Sequence, residues 1–402
     1  MKIITCLACG DSKLKPVLDL GEQYAANLLC TAPNQLIRRE RLALNICEEC
    51  GHAQQAVSYP SHDLFSHYLY QSGTSQTLKR YFNWLAQCIA STLPERGRVL
   101  ELASNDGSFL TALHALGVNA EGVDPAENLV SIANEKGAKT TQGFWPDVQV
   151  EGKFNAIVAM NVVAHTSDPH AFLCGVKDAL AEDGVAYIQV SQADMFRNCE
   201  FDTLYHEHYS FYCPFSLTRL SLRCGFRSID FIKTDIHGGS ILAVLGQNPA
   251  SVAEAISKLK TPPFFLRELS AQERPSAGEI ETFSERAQAT CRNVQLISQM
   301  AQAAGRKVVL VGVAAKAITV LQASGIVPDV IVDEAPLKIG RYIPNTDWRI
   351  ESLASLSDIP EPALFIIGAW NFEKELAEKI RRFRPQGDLL AVYFPQLNLR
   401  AL

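Results

Sequence analysis

The sequence has no apolar run approaching the roughly 20 residues that cross a bilayer. It has no tandem repeat, no low-complexity tract and no basic tail or stripe. The G-x-G-x-x-G turn of dinucleotide-binding sheets is also missing. The opening stretch "MKIITCLACG" carries too short an apolar run for a secretory signal. Each absence excludes a class. A membrane span is ruled out, and so is the usual dinucleotide fingerprint. With 37 basic against 43 acidic residues, a formal charge of −6 and a pI of about 5.9, binding to nucleic acid through phosphate contacts is disfavoured. The expectation is a soluble, cytoplasmic protein that uses neither membrane nor nucleic acid, as a monomer or weak homo-oligomer.

What is there is a chain of 402 residues, length enough for two or three domains. Hydrophobic residues make up 47% and charged residues 20%, so the chain can bury real cores. The first ~55 residues read as short strands and turns with Gly, Pro and four paired cysteines. In "SQTLKRYFNWLAQCIASTL" apolar residues recur at three and four, which predicts a helix. From Arg98 strands and helices alternate, as in a doubly wound α/β sheet. "RSIDFIKTDIHGGSILAVLG" predicts two antiparallel strands, and residues from about 249 to 305 predict a polar helical bridge. The strand–helix rhythm then returns, from "RKVVLVGVAAKAITVLQASG" to "DLLAVYFP", as a second and smaller Rossmann-like unit. The expected division is 1–70, 71–250 and 251–402, α/β in class.

Cys6 and Cys9 form one C-x-x-C, and Cys47 and Cys50 form another. Two such knuckles let four thiolates converge on one tetrahedral Zn²⁺. With all four positions filled by sulfur, the metal would be structural. A redox C-x-x-C is expected beside a βαβ unit, and neither pair has one. A DNA-binding zinc finger conflicts with the acidic balance. The other seven cysteines show no ligand spacing and read as small buried side chains.

"VLELASNDGSFL" runs from a strand through a loop into a helix. In a Rossmann-like sheet this turn brings a ligand to the strand ends and the helix N-terminus. Gly107 would let the backbone approach that ligand, while Asn105 and Asp106 would supply polar contacts. About twenty residues on, Asp124 ends the second strand, where an acid can accept both ribose hydroxyls. The pattern E-x-G-x-x-x-G followed by such an acid belongs to S-adenosylmethionine enzymes. Glu101 and Gly107 match it, and Ala103 stands where the middle glycine is expected.

"NVVAH" places His165 at the carboxyl edge of the fourth strand, and "FDTLYHEHYSF" can arch over the same edge. The latter sets Tyr205, His206, Glu207, His208 and Tyr209 side by side. A histidine beside a carboxylate can be held in one tautomer and made a better base. A satisfied polar loop, or metal binding by His206 and His208, are the other readings of these residues alone; no third ligand at useful spacing supports the metal.

In order along the chain, the two knuckles, "YLYQSGTS", "SNDGSFL", "YHEHYSF", "HGGS", "AAK", "VDEAPLKIGRYIP" and "WN" resemble the three-domain, S-adenosylmethionine-dependent sugar C-methyltransferases of deoxysugar pathways. The resemblance spans nearly the whole chain. It implies a zinc-bound N-terminal module, a seven-stranded Rossmann-like methyltransferase domain and a smaller C-terminal Rossmann-like domain. It also implies removal of a proton from carbon 3 of a nucleotide-linked 4-keto sugar and methylation of the enolate. By resemblance His208 is the base, and Tyr205, Glu207 and His165 orient it, exchange protons or stabilise the enolate. Asn161 joins Glu101, Ala103, Asn105, Asp106, Gly107 and Asp124 around the cofactor. Tyr70, His237, Gly238, Lys316 and Asn371 would hold the nucleotide sugar. Besides Ala103, two positions depart from the family. Leu242 stands for an arginine soon after "HGGS", and Leu310 for the first glycine of a G-Y-G. Loss of that cation would alter affinity or substrate choice. The alternatives are a methyltransferase acting on another ketone or on oxygen, and a non-catalytic cofactor-binding relative.

Overall fold

The computed structural model describes residues 2–65, 71–191, 194–359, 362–384 and 387–402. Tyr70 lies outside the described residues. Three sheets organise those that are described. The N-terminal sheet is a hairpin of Leu14–Tyr24 and Arg39–Cys47, extended by Ala53–Gln55. Its fourth strand, Ser210–Phe211, arrives from far along the chain and pairs antiparallel with Ala53 and Gln54. The end of "YHEHYSF" is thus part of the cysteine module's sheet.

The second sheet runs, from one edge to the other, Phe265–Glu268, Ser228–Thr234, Ser240–Gly246, Leu180–Ser191, Phe154–Met160, Arg98–Leu102, Asn119–Asp124 and Thr140–Gln142. The five strands at the Thr140 end are parallel, and the remaining three are added antiparallel. Phe265–Glu268 is one strand more than the seven expected, and it interrupts the helical bridge. Pro262 and Pro263 cannot continue the helix Pro249–Leu259, and the aromatic pair Phe264 and Phe265 favours an extended edge. Helix resumes at Ala277–Ala303, where Ser276 and Glu279 form a reciprocal capping box. Its buried residues Phe283, Ala287, Cys291, Val294, Ser298 and Ala301 recur at threes and fours, a single stripe. That stripe joins Leu18, Leu42 and Leu44 of the N-terminal hairpin and Leu310 and Ile318 of the C-terminal domain in one core.

The third sheet has the order Ile350–Glu351, Val330–Val332, Lys307–Val311, Ala363–Ile367, Leu389–Val392 and Asn398–Ala401, with only the last strand antiparallel. In both α/β sheets the winding reverses beside the first strand. Arg98–Leu102 lies between Asn119–Asp124 and Phe154–Met160, and Lys307–Val311 lies between Val330–Val332 and Ala363–Ile367. Connections leave such a pair in opposite directions, so a crevice opens at the strands' carboxyl ends.

Two of the departures fall away from these crevices. Leu242 is fully buried in the core with Tyr81, Val244, Ile256 and Phe264, so a cation is not missing from the cavity there. Strand alternation turns this position into the packing between sheet and helices. Leu310 is buried in strand Lys307–Val311, while Gly312 keeps the positive φ of 86° that the turn needs.

Candidate active site

The cysteine knuckles converge. Sγ of Cys6 and Cys50 are 3.6 Å apart, those of Cys9 and Cys47 are 3.5 Å apart, and all four lie within 4.8 Å of one another. Zn–S bonds of about 2.3 Å set tetrahedral S···S edges near ~3.8 Å, so the four thiols fit Zn²⁺ and leave no open position. Each knuckle turns back through a glycine N–H: Gly10 donates to the Cys6 carbonyl at 2.8 Å and Gly51 to that of Cys47 at 2.9 Å. Both glycines have left-handed φ, 83° and 69°, which explains glycine after each pair.

A cavity of about 1500 Å³ lies where the two crevices face each other. On the methyltransferase side its wall includes Glu101, Ala103, Asn105, Asp124, Asn161 and Gln189. Oε2 of Glu101 and Oδ1 of Asn161 are buried without a hydrogen-bond partner among the described residues. Burial, then the nearby Asp124 and Asp106, raise the Glu101 carboxyl well above its usual range. Asp124 accepts the N–H of Asn105 and that of Ala126, both at 2.8 Å, and burial lifts its pKa to about 6. Each oxygen keeps a lone pair for a ribose hydroxyl. Ala103 and Asn105 both have φ of 52°, the left-handed region where glycine is easiest. These residues fit S-adenosylmethionine.

Two members of the expected cofactor set do something else. Asp106 does not line the cavity; it accepts from Ser108 Oγ at 2.7 Å and pairs with Lys136 at 3.0 Å. Gly107 is also off the wall. A Cβ there would meet Ala138 at 2.6 Å and Ala133 at 3.0 Å, so glycine serves the packing of the loop on the next helix.

Across the cavity His208 is held in one tautomer. Its Nδ1 is 2.8 Å from the Thr203 carbonyl, which only accepts, so Nδ1 carries the proton. Nε2 is then a lone pair, and Tyr205 Oη–H donates to it at 2.9 Å. The His165 ring lies 4.7 Å away, edge to face. Burial, then His165, lower the His208 pKa well below its usual value, and burial takes His165 to about 4. His208, Tyr205 and His165 line the cavity, whereas Glu207 does not. Glu207 turns to the N-terminal module, where Oε1 accepts the Asn27 N–H at 3.0 Å, and no hydrogen bond joins it to His208. His206 likewise leaves the site, its Nε2 3.2 Å from the Glu40 carbonyl.

The residues that hold this loop carried no signal in the sequence. Gln55, buried beside the second knuckle, donates Nε2–H to the carbonyls of Tyr205 and His208 at 2.8 and 2.7 Å. Asp202 Oδ2 accepts from Trp370 Nε1 at 2.7 Å and Tyr393 Oη at 3.2 Å, tying the loop to the C-terminal domain. On that domain's side the wall includes Gly312, Lys316, Lys338 and Asn371. Lys316 Nζ sits 4.1 Å over the Trp370 ring and has no carboxylate partner among the described residues. His237 and Gly238 face the same wall; a Cβ on Gly238 would lie 3.7 Å from Trp370 and 3.9 Å from Asn371. Burial takes the His237 pKa to about 4.

A doubly wound sheet with this acid-lined crevice, a proton acceptor opposite and a four-thiol module beside it defines an S-adenosylmethionine-dependent methyltransferase. Known domains match in tandem. A zinc binding domain covers residues 6–65, a methyltransferase domain 71–230 and a C-methyltransferase C-terminal domain 235–395. With these matches in order along the chain, the protein is an S-adenosylmethionine-dependent C-methyltransferase. C-methyltransferase NovU of Streptomyces niveus is 27% identical over 415 residues, covering 97% of this chain and 95% of that protein. Solved structures overlap a smaller part. A TehB-like S-adenosylmethionine-dependent methyltransferase from Corynebacterium glutamicum is 19% identical, covers 41% of this chain and 88% of its own, and gives a TM-score of 0.33. The glycopeptide N-methyltransferase MtfA is 14% identical, with 41% and 87% covered and a TM-score of 0.35.

Proposed function

We propose that the enzyme removes the proton from carbon 3 of a nucleotide-linked 4-keto deoxysugar and methylates the resulting enolate. The observation that carries this reading is His208: a buried imidazole with its proton fixed on Nδ1 and its Nε2 lone pair held by Tyr205 Oη–H at the cavity wall. A carbon acid needs a free base at neutral pH, and burial keeps His208 uncharged. When Nε2 takes the proton, the enolate's negative charge arises beside the imidazolium and offsets the cost of charging a buried ring. Tyr205, released from Nε2, donates to the enolate oxygen. His165 packs against His208 and holds its ring. Glu207 acts at a distance, anchoring the loop to Asn27. Bound S-adenosylmethionine supplies an electrophilic methyl, and Glu101, Asp124 and Asn161 bind it in the acidic crevice. Lys316, Asn371, His237 and Gly238 take the nucleotide's phosphates and sugar, with Lys316 as the point charge. On this reading residues 71–250 carry the cofactor crevice and the base, 251–402 complete the acceptor wall, and zinc braces residues 1–70.

The test is incubation of the enzyme with S-adenosylmethionine and a panel of nucleotide-linked 4-keto sugars, followed by mass spectrometry. A gain of one methyl at carbon 3 is expected. A methyl on oxygen, or on a ketone without a nucleotide, would replace the reading. In D₂O without a methyl donor, solvent deuterium should enter carbon 3. His208→Ala should abolish that exchange while leaving cofactor binding intact, and exchange at the normal rate would move the base elsewhere.

A further inference from the structure

Outside the site just described, one cluster among the described residues brings metal-binding side chains together. His170 and Cys174 lie one turn apart on helix Pro169–Ala179, a spacing that puts both on the same face. Cys224 caps the C-terminus of helix Pro214–Arg223, which packs alongside. The ligand atoms of all three lie within 4.8 Å of one another, and Cys174 Sγ is 3.7 Å from His170 Nε2. Bonds of about 2.3 Å to sulfur and 2.0 Å to nitrogen give tetrahedral S···N edges of ~3.6 Å, close to that separation. The four-thiol centre of the same chain shows a similar spread before any ion is considered, 3.5 and 3.6 Å. None of the three residues lines the cavity.

We propose that His170, Cys174 and Cys224 form a second zinc site, with two thiolates, one imidazole and a solvent molecule as the fourth ligand. The donor set is the borderline mixture that Zn²⁺ takes readily, while Mg²⁺ and Ca²⁺, which favour oxygen, are poorly matched by two thiols and an imidazole. Cys224 is buried, whereas His170 and Cys174 are half exposed, so the ion reaches the site from solvent and keeps an open position facing it. Without metal, the Cys224 thiol donates to the His170 carbonyl at 3.4 Å, and zinc would replace that proton. The site joins two helices that each follow a segment of the active site. Pro169–Ala179 begins four residues after His165, and Pro214–Arg223 begins three residues after the strand Ser210–Phe211. A metal bridge between them fixes the distance between those segments. The proposal does not depend on the acceptor substrate.

The experiment counts metal on the full-length chain. Protein stripped with a chelator and dialysed against micromolar free zinc should hold two zinc ions per chain by elemental analysis. Cys224→Ser and, separately, Cys174→Ser should each hold one, with unchanged far-ultraviolet circular dichroism to show that they fold. Cobalt gives an independent reading. Wild type should show more thiolate-to-cobalt charge-transfer absorption than either variant, with a difference spectrum of a two-sulfur site rather than a four-sulfur one. One ion per chain in the wild type overturns the site, as does an equal count in wild type and in both variants.

Discussion

At the end of strand Asn119–Asp124, Asp124 accepts the N–H of Asn105 from the neighbouring loop and the N–H of Ala126 two residues on. At the end of strand Val330–Val332, Asp333 does the same with Val313, at 2.6 Å, and Ala335, at 2.8 Å. The two α/β units therefore lock their first loops with the same latch. Around that latch the walls differ in charge. The first crevice presents Glu101 and Asn161 with unpartnered buried oxygens. The second presents Lys316, whose charge is unpaired by any described carboxylate, and Lys338, which donates to the Val313 carbonyl at 2.6 Å. A sulfonium cation suits the first wall and an anionic phosphate the second. The latch aspartate alone does not tell which ligand a crevice takes, because both of its oxygens are engaged by backbone. The charged and polar neighbours carry the difference.

The sharpest break in the comparison comes from exchanging the latches. Asp124→Asn should weaken S-adenosylmethionine binding about 100-fold, the cost of two charge-assisted contacts, measured by calorimetry. Asp333→Asn, which disturbs the equivalent latch, should leave cofactor affinity within about twofold, so any loss it shares with Asp124→Asn is the latch's own. Lys316→Ala should raise KM for the acceptor about tenfold with cofactor affinity unchanged. An effect on cofactor binding instead would mean that the charge division is wrong. Acid sharpens the contrast through Asp124, whose pKa burial raises to about 6. On the proposed reading the ionised carboxylate binds the cofactor; falling pH adds a proton, so affinity should drop roughly tenfold between pH 7 and pH 5. kcat at saturating cofactor should fall less than that affinity, because burial lowers the His208 pKa and so favours its free base. Ala103→Gly should do least. Relief of a left-handed φ of 52° is offset by glycine's extra freedom in the unfolded chain, so the thermal midpoint should move by less than about 2 °C.

Features whose physics is local could be read from the sequence. The C-x-x-C-G knuckles, strand–helix alternation and Asp124 at a strand end each depend on residues a few positions apart. The tautomer of His208 was expected from a neighbouring carboxylate and is set instead by the Thr203 carbonyl five residues earlier, with Tyr205 three residues earlier on the other nitrogen. What escaped depends on contacts between distant segments. Gln55 meets residues about 150 positions away, and Asp202 meets Trp370 and Tyr393 about 170 and 190 away, pairings that no spacing encodes. Glu207, Asp106 and Gly107 show a different gap: their positions in a motif were visible, but the direction each faces was not. Glu207 follows Asn27, Asp106 follows Lys136, and Gly107 yields room to Ala133 and Ala138.

The pairing of Ser210–Phe211 with Ala53 and Gln54 has a consequence for assembly. A strand pair closed over some 150 residues costs more chain entropy than the local α/β units, so it forms after them. Until it closes, the segment bearing His208 lacks its partner strand, whereas Glu101, Asn105, Asp124 and Asn161 sit on the middle sheet and its loops. On the proposed reading, a nascent or truncated chain would bind the methyl donor before it could deprotonate an acceptor, and competence for the two half-tasks would appear in sequence. Separating the zinc module from the rest would accordingly silence proton transfer and spare cofactor binding.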